Sequence, residues 1–244
     1  MSKVLVLSGE GINCENETAA AFALVGVAPK IVPVRELLGN PQMLLDYRIF
    51  ALPGGFSFGD EITSGQVLGL ALKDALQNVW PEFMKRGGLS IGICNGFQIL
   101  MKMGVFGPFT LAANSPNGFQ DCWIGLKVEK SNCLWTKGLE GEELFMPMRH
   151  GEGRIWTPKP ERSTRLNALR DQGQIVLRYD GDPNGSLEQI AGLCDPTGQV
   201  FGLMPHPEAA LMTSLFPVKT LISKAQLHER IFKNAALYSQ ETHA

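Results

Sequence analysis

The sequence predicts an α/β fold: a mostly parallel, doubly wound (flavodoxin-like) sheet with flanking helices and a smaller antiparallel β extension in the second half. Two observations support this prediction. In the first half, short apolar runs alternate with longer helical segments, as β-α-β-α units do. After Thr110 the apolar runs become shorter, and the connections between them are rich in Pro, Gly, Asn and Asp. Because there is no internal repeat and no clear linker, we expect residues 1–244 to form a single domain.

Four buried strands with helices between them are predicted in the first half. Runs of Val, Ile and Leu without polar interruption, such as residues 4–7, are typical of central strands in parallel sheets. An alanine-rich segment predicts a helix, and Gly87-Gly88 closes the longest helical segment. In chain order, we predict strands at 4–7, 30–34, 49–52 and 89–93, and helices at 15–25, 35–46 (interrupted at Asn40-Pro41), 60–86 (with a break before Pro81) and 99–103.

The second half is predicted to be richer in β-structure and to end in a helix. Residues 157–171 are polar and form either a surface insertion or a short helix. Apolar residues recur at helical spacing over 219–238, which predicts a terminal amphipathic helix. The predicted strands are 122–130, 144–148, 175–179, 188–194 and 200–204.

The overall composition narrows the possible partners. Hydrophobic residues make up 44% of the chain and charged residues 19%, as in ordinary globular proteins. The formal net charge of −2 and the lack of a basic stripe argue against nucleic acid. No apolar run is long enough to span a membrane, and the first residues are typical of a strand rather than a signal peptide. The five cysteines form no C-x-x-C pair, so we expect no disulfide framework, no metal site and a reducing, cytoplasmic location.

Cys94 lies at a predicted strand-to-helix junction, with Gly92 and Gly96 two residues to either side. This is the cysteine form of a nucleophile elbow, in which glycines let the neighbouring backbone pass closely and the nucleophile holds a strained conformation. The thiol would lie at the first turn of a helix, whose positive dipole end favours a thiolate. The alternative interpretation is a buried cysteine between two packing glycines.

A cysteine nucleophile needs a base and a group that orients the base. His206 follows a predicted strand, and the prolines on both sides favour extended backbone. Since residues i and i+2 of an extended segment point the same way, the Glu208 carboxylate can hold one ring N–H of His206. His150 lies in a polar turn that follows no strand at the active edge, so we expect a structural or substrate-side role. Cys14 lies in a loop at that edge but lacks flanking glycines, and we interpret it as a bystander.

Attack on a carbonyl also requires N–H donors aimed at the oxyanion. The Asn95 N–H, directly after the nucleophile, is one candidate. The loop Gly54-Gly55-Phe56 can supply a second donor, because glycines allow a free N–H to face a ligand. Taken alone, this loop would be an ordinary glycine-rich turn after a strand.

Together these stretches resemble the class I (triad-type) glutamine amidotransferases. The resemblance rests on residues 92–98 (GICNGFQ), 52–60 (LPGGFSFGD) and 204–208 (MPHPE). Further stretches resemble the glutaminase subunits of phosphoribosylformylglycinamidine synthase, which act in purine biosynthesis. These are residues 13–15 (NCE), 150–154 (HGEGR), 183–186 (PNGS) and 190–192 (IAG).

The resemblance implies a nucleophile at Cys94, an acid/base at His206 and an orienting carboxylate at Glu208. It also implies that Gln98 lies near the substrate L-glutamine and that residues 54–56 form part of the oxyanion hole. Glutamine would be hydrolysed to glutamate and ammonia through a Cys94 thioester, with no cofactor in this chain. A large ATP-dependent synthase subunit that binds ATP and Mg²⁺ would use the ammonia, and a small third subunit is possible. The alternatives are another acceptor, a γ-glutamyl hydrolase, and a non-catalytic regulatory module of the same fold.

Overall fold

A nine-stranded mixed sheet forms the centre of the protein in the computed structural model. The model describes residues 2–60, 63–116, 118–211, 214, 216–217 and 225–241. The sheet has the strand order β2-β1-β3-β4-β11-β10-β9-β6-β7, and β5 and β8 form a separate two-stranded sheet. The strands are β1 Lys3–Ser8, β2 Ala28–Pro33, β3 Ile49–Leu52, β4 Leu89–Ile93, β5 Thr110–Ala113, β6 Gln120–Val128, β7 Glu143–His150, β8 Glu152–Trp156, β9 Ile175–Tyr179, β10 Ile190–Cys194 and β11 Val200–Leu203.

The parallel part of the sheet sets the position of the site. Strands β2, β1, β3, β4 and β11 pair in parallel, and every residue of β4 is buried. Leu52 at the end of β3 pairs with Gly92 of β4, and Leu203 at the end of β11 pairs with Ile93. Because the carboxyl ends of these strands coincide, the segments that follow them meet at one edge of the sheet.

The antiparallel extension predicted for the second half is part of the same sheet. Strand β10 pairs antiparallel with β11, and β9, β6 and β7 continue outward from it in antiparallel order. The predicted fold class is therefore confirmed, and the junction between its two parts is the β11–β10 pair. A single buried hydrophobic cluster contains residues from Val4 to Ala236. The assignment of residues 1–244 to a single domain stays a prediction.

Helices cover both faces of the parallel strands. Phe22 and Phe232, from the first and last helices, pack edge to face with ring centroids 5.2 Å apart. No helix in the described ranges is both long and apolar enough to cross a membrane. The helices are α1 Glu15–Leu24, α2 Val34–Gly39, α3 Gln66–Ala75, α4 Val79–Lys85, α5 Asn95–Met103, α6 Arg162–Asp171 and α7 Ala225–Glu241.

Several predicted boundaries differ from the structure: helix α5, for example, begins at Asn95 rather than at residue 99, and β6 covers Gln120–Val128 rather than 122–130. A 3-10 turn at Ser57–Asp60 ends where the helix was predicted to begin, and α3 begins only at Gln66. The predicted break in this helical segment lies at residues 76–78, between α3 and α4. Pro81 lies in the first turn of α4, where backbone N–H groups make no hydrogen bond within the helix, so proline is tolerated there. Strand β10 begins at Ile190, because positive φ angles at Glu188 and Gln189 end the extended conformation before it. Residues 219–224 of the predicted terminal helix lie outside the described residues.

Candidate active site

Cys94 stands at a strained turn between β4 and α5. Its φ is 52° and its ψ is −105°, a conformation that side-chain-bearing residues rarely adopt and that costs about 1–3 kcal/mol. The surrounding backbone holds it there: the Cys94 N–H donates to Leu203 O at 2.8 Å, and the Cys94 carbonyl accepts from the N–H groups of Phe97 (3.0 Å) and Gln98 (3.1 Å). The thiol is 6% exposed and donates to Arg149 O at 3.6 Å.

The two glycines of the elbow are required by close packing. A Cβ on Gly96 would overlap the carbonyl oxygen of Leu52, at the end of β3. A Cβ on Gly92 would lie 2.5 Å from Gly96 O and 2.6 Å from Leu100 Cδ1. Helix α5 can therefore sit directly on the ends of the strands, which fixes the direction of the Cys94 side chain. The bare packing interpretation of Cys94 does not account for its strained backbone.

His206 and Glu208 form a buried pair behind the thiol. His206 Nδ1 and Glu208 Oε1 are 2.6 Å apart, and both side chains are almost completely buried. Burial lowers the pKa of His206, but the negative charge of Glu208 and contacts with the Cys14 and Cys94 thiols outweigh it and hold the pKa well above the usual 6.5. Among the described residues, His206 Nε2 has no hydrogen-bond partner. It is therefore free to exchange a proton with a thiol.

Gly54 shows how closely these groups approach one another. The position of a Cβ on Gly54 lies 2.8 Å from His206 Cε1, 3.5 Å from Cys94 Cβ and 3.3 Å from Cys14 Sγ. Any side chain at residue 54 would therefore push His206 away from Cys94. The interpretation of Cys14 as a bystander overlooked this contact, because a hydrogen bond from Cys14 N–H to Gly54 O (3.2 Å) draws its loop to the site.

Two backbone N–H groups near Cys94 are candidates for an oxyanion hole. The N–H of Asn95, at the first position of α5, makes no hydrogen bond within the described ranges, and neither does that of Gly55. Phe56 N–H, by contrast, donates to Gly11 O at 2.9 Å, so it is not available as an oxyanion donor. Ile12 and Gly55 form an antiparallel pair, but the hydrogen bonds on either side of it run from Asn13 N–H to Gly54 O and from Phe56 N–H to Gly11 O. In such a pair the N–H of Gly55 points away from the segment that contains Ile12. Phe56 is thus excluded as a donor, and Gly55 stays a candidate in the Gly54–Phe56 loop.

Gln98 belongs to a hydrogen-bonded chain on one wall of the site. Its Oε1 accepts from Asn95 Nδ2 at 2.9 Å, and its Nε2 donates to Glu152 O at 2.6 Å. Asn95 Oδ1 in turn accepts from Ser57 N–H at 3.3 Å, and Glu152 Oε2 accepts from Ser64 N–H at 3.2 Å. The chain ties α5 to the 57–64 loop and to β8. Both ends of the Gln98 amide are therefore fixed by hydrogen bonds beside the cavity, and its proximity to the substrate stays a prediction.

A cavity of about 190 Å³ opens at Cys94. It is smaller than pockets for drug-sized ligands and suits a single small metabolite. Phe56 and Phe119 are about half exposed at its wall, with ring centroids 6.3 Å apart. The lining residues are Gly55, Phe56, Ser64, Cys94, Gln98, Phe119, Arg149, His150, Gly151 and Glu152.

His150 also lines this cavity, which corrects the expectation that it follows no strand at the active edge. Strand β7 extends to His150 itself. Burial, and to a smaller extent the charge of His206, lower the pKa of His150 from 6.5 to about 3, so the ring is neutral. Tyr179 Oη lies 3.4 Å from its Nε2, and the ring packs on Gly153, where a Cβ would overlap it. The expectation of a structural or substrate-side role for His150 stays a prediction.

A larger cavity of about 500 Å³ lies at the opposite edge of the sheet, near Lys3, Arg48 and Gly88. The described residues that line it include no cysteine or histidine. The chemistry predicted from the sequence therefore belongs to the smaller cavity at Cys94.

Comparison with known proteins agrees with this geometry. A family model for the CobB/CobQ-like glutamine amidotransferase domain matches residues 1–239. The phosphoribosylformylglycinamidine synthase subunit PurQ of Methanococcus maripaludis strain S2 is 37% identical, over 97% of this chain and 97% of its own. The chain belongs to the PurQ family of glutamine amidotransferases. A PurQ from Dehalococcoides mccartyi is 39% identical over 89% of both chains.

Two solved structures share the fold of this chain. A chain in the structure of PurLQS from Thermotoga maritima matches with a TM-score of 0.77 and 33% identity, over 97% of this chain and 98% of that chain. Another glutamine amidotransferase from Thermotoga maritima matches with a TM-score of 0.57 and 18% identity, over 98% and 96% of the two chains, and shows the fold alone. The predictions of family, fold class and glutamine amidotransferase activity are thereby confirmed. The roles of the individual site residues stay predictions.

Proposed function

We propose that this protein is the glutaminase subunit of phosphoribosylformylglycinamidine synthase, and that Cys94, His206 and Glu208 are its catalytic residues. The observation that carries the proposal is the strained Cys94 thiol directly beside a buried His206–Glu208 pair, whose Nδ1–Oε1 distance is 2.6 Å. A nucleophile, a base and an orienting carboxylate in this arrangement perform acyl transfer on several unrelated folds. Membership of the PurQ family supports glutamine as the acyl donor.

The first half of the reaction forms a thioester. The Cys94 sulfur attacks the side-chain carboxamide carbon of L-glutamine, and the carbonyl oxygen becomes an oxyanion. The N–H groups of Asn95 and Gly55 are free to stabilise this charge, and loss of one such donor typically costs about 10²–10³ in rate. His206 Nε2 gives its proton to the departing nitrogen, so ammonia leaves as the C–N bond breaks.

The second half of the reaction returns the enzyme to its starting state. Water attacks the thioester carbon, and the neutral His206 accepts a proton from that water. The C–S bond then breaks, which releases glutamate and regenerates the Cys94 sulfur. Glu208 keeps His206 in one orientation through both halves, because it holds Nδ1.

The cavity walls provide for recognition of an amino acid. Arg149 and Glu152 both line the space, so charges of both signs are available for the carboxylate and the ammonium group of glutamine. The Gln98 amide is held by a hydrogen bond from the side chain of Asn95, whose backbone N–H is a proposed oxyanion donor. The small volume favours one free amino acid over a peptide.

Ammonia must be used by another polypeptide. The sequence has no G-x-x-x-x-G-K-[ST] loop, and amidine formation from an amide requires activation that glutamine hydrolysis does not supply. The PurLQS structure contains a chain that matches this one over 97% of its length, which supports assembly with two further subunits, one large synthase and one small protein. In this proposal the large subunit binds ATP and Mg²⁺, and this chain needs no cofactor. The complex acts in the cytoplasm, in purine biosynthesis.

The proposal is tested with Cys94→Ala and Cys94→Ser in the reconstituted complex. Both variants should lose glutamine-dependent synthesis, because no sulfur is available to form the thioester, and both should retain synthesis from added ammonia. Cys122→Ser, at an exposed cysteine outside the site, is the matched control and should behave as the wild type. Continued glutamine hydrolysis by Cys94→Ala would refute the assignment of the nucleophile. Rapid glutamine hydrolysis by the isolated wild-type chain would instead favour a stand-alone hydrolase.

A further inference from the structure

Glu152 is the one acidic side chain among the described residues that line the cavity at Cys94. It is the first residue of β8 and is half-buried. It belongs to none of the ion pairs found among the described residues, although Arg149 lines the same cavity. A negative charge therefore lies at the cavity wall without a cation from the described part of the protein paired to it.

The carboxylate of Glu152 is held in place by the loop that precedes α3. Glu152 Oε2 accepts a hydrogen bond from Ser64 N–H at 3.2 Å. The neighbouring Gly65 packs directly on α5, because a Cβ there would lie 2.8 Å from Ile99 N and 3.0 Å from Gln98 Cβ. The Ser64 N–H thus has a fixed position, and it occupies only one of the two carboxylate oxygens.

The backbone of Glu152 is held as firmly as its side chain. Its carbonyl oxygen accepts from Gln98 Nε2 at 2.6 Å. Asn114, which is completely buried, brackets the residue: its N–H donates to Gly151 O at 2.8 Å, and its Oδ1 accepts from Gly153 N–H at 3.2 Å. A carboxylate that is fixed in advance loses little side-chain entropy when it binds a ligand.

These properties suit a compact cation that carries N–H donors. Hydrogen bonds to ionised groups are roughly twice as strong as neutral ones, and a partly desolvated site strengthens them further. The α-ammonium group of glutamine is such a cation, and a chain of three carbon atoms separates it from the amide carbon. Because Cys94 and Glu152 line one cavity of about 190 Å³, one small molecule can contact both.

We infer that the Glu152 carboxylate binds the α-ammonium group of L-glutamine and restricts the acyl donor to molecules with a free α-amino group. The inference rests on the proposed function and assigns the recognition of one end of its substrate to one residue. An amide that lacks the α-amino group, or carries an acylated one, leaves Glu152 charged and unpaired in the filled cavity. Sites built around a polar contact reject such analogues strongly.

The contact is expected to act on binding rather than on bond breaking. The α-ammonium group takes no part in the formation or hydrolysis of the thioester, so its interaction with Glu152 is equal in the ground state and the transition state. Loss of such an interaction raises KM and leaves kcat nearly unchanged. This separates Glu152 from the proposed catalytic residues, whose loss should lower kcat.

The test compares L-glutamine with glutaramate, which is glutamine without the α-amino group, in the reconstituted complex. Glu152→Gln removes the charge and keeps an oxygen that can accept from Ser64 N–H. We expect kcat/KM for glutamine to fall about 10- to 100-fold, mainly through KM, because a hydrogen bond to a charged group is lost. The kcat/KM for glutaramate should stay close to that of the wild type. Glu142→Gln, at an exposed glutamate directly before β7, is the matched control and should leave both values unchanged.

An equal loss of kcat/KM for both substrates in Glu152→Gln would overturn the inference, because the residue would then serve only to hold the Ser64 loop. Equal kcat/KM for the two substrates in the wild type would overturn it as well, since the α-amino group would not be recognised. Glu152→Asp provides a second variant that keeps the charge. A preference for glutamine as low as that of Glu152→Gln would contradict the inference, and far-ultraviolet circular dichroism confirms that each variant is folded.

Binding is measured separately from turnover, by calorimetry on the complex carrying Cys94→Ala, which cannot form the thioester. L-Glutamine should bind about 10- to 100-fold more weakly when Glu152→Gln is added, and the affinity for glutaramate should not change. Binding that depends on the Glu152 charge, in a complex whose wild type does not hydrolyse glutamine, would refute the proposed function and leave the ammonium site standing. Glutamine hydrolysis by the wild type, with binding that is insensitive to Glu152→Gln, would refute the ammonium site and leave the proposed function.

Discussion

Replacing His150 with glutamine should make the stability of the protein less sensitive to acid. His150 is 2% exposed, and its burial lowers the pKa from 6.5 to about 3. In the unfolded chain the same imidazole takes up a proton near pH 6.5. The unfolded state therefore binds more protons than the folded state in the window between about pH 6.5 and pH 3, so the free energy of unfolding falls as the pH falls through that window.

The size of the effect follows from the two pKa values. One bound proton changes the free energy of unfolding by up to about 1.4 kcal/mol per pH unit. Between about pH 7 and pH 5, most of the unfolded chains become protonated at this residue while the folded protein does not, which removes about 2 kcal/mol. His150→Gln has no such proton to bind and should keep that contribution, whatever its absolute stability.

The measurement is urea unfolding at about pH 7, 6 and 5, followed by tryptophan fluorescence. The compared quantity is the loss of unfolding free energy on acidification, which should be smaller in His150→Gln by about 2 kcal/mol. Tyr179→Phe is the matched control, because it removes the hydroxyl 3.4 Å from His150 Nε2 and leaves the imidazole in place. Parallel pH dependence of the wild type and His150→Gln would show that the ring is protonated in the folded protein and would refute the reasoning.

Two further substitutions test the site and its support. Glu208→Gln should lower the pKa of His206, because the negative charge beside Nδ1 is removed. It should also reduce kcat by up to about 10⁴-fold, as loss of an orienting carboxylate does in other triads. The rate of thiol alkylation as a function of pH is an independent readout, and an unchanged profile would contradict this prediction. Gly96→Ala should destabilise the protein by at least about 3 kcal/mol, because its Cβ overlaps Leu52 O. Gly39→Ala, where a Cβ meets no atom within 4 Å, should stay within about 1 kcal/mol of wild type in thermal unfolding. Equal melting temperatures for the two alanine variants would refute the packing argument.

Three strands of the nine-stranded sheet could be predicted closely from the sequence. The structure has strands at Ile49–Leu52, Leu89–Ile93 and Ile175–Tyr179, at the residues predicted for each. These segments are almost wholly apolar and are bounded by Pro, Gly or polar residues, so local composition is sufficient. Strands β5 and β8 were not predicted, since β8 contains Gly153 and Arg154 and is stabilised mainly by pairing with a distant segment.

The three proposed catalytic residues at the active edge could be predicted from motifs, but the contacts that Cys14 and Gly55 make around them could not. Cys94, His206 and Glu208 each lie next to a signal that is local in sequence. The sequence places Cys14 in a loop at this edge, but its close approach to His206 depends on the pairing of Ile12 with Gly55, which joins two loops about forty residues apart and leaves no local signal. The availability of Gly55 N–H, rather than that of Phe56, follows from the same pairing.

The two kinds of pairing in the sheet divide the site into two functional parts. The proposed catalytic residues follow β4 and β11, neighbouring parallel strands whose register is fixed up to Cys94 by its bond to Leu203 O at 2.8 Å. His150 and Glu152, which line the cavity at Cys94, come from strands of the antiparallel extension and the small sheet. One backbone bond, from His206 N–H to Pro147 O at 2.8 Å, ties β7 to the catalytic part. Since binding that is equal in the ground state and the transition state lowers KM without raising kcat, sequence changes confined to the antiparallel part can alter glutamine affinity while the geometry of bond breaking is preserved.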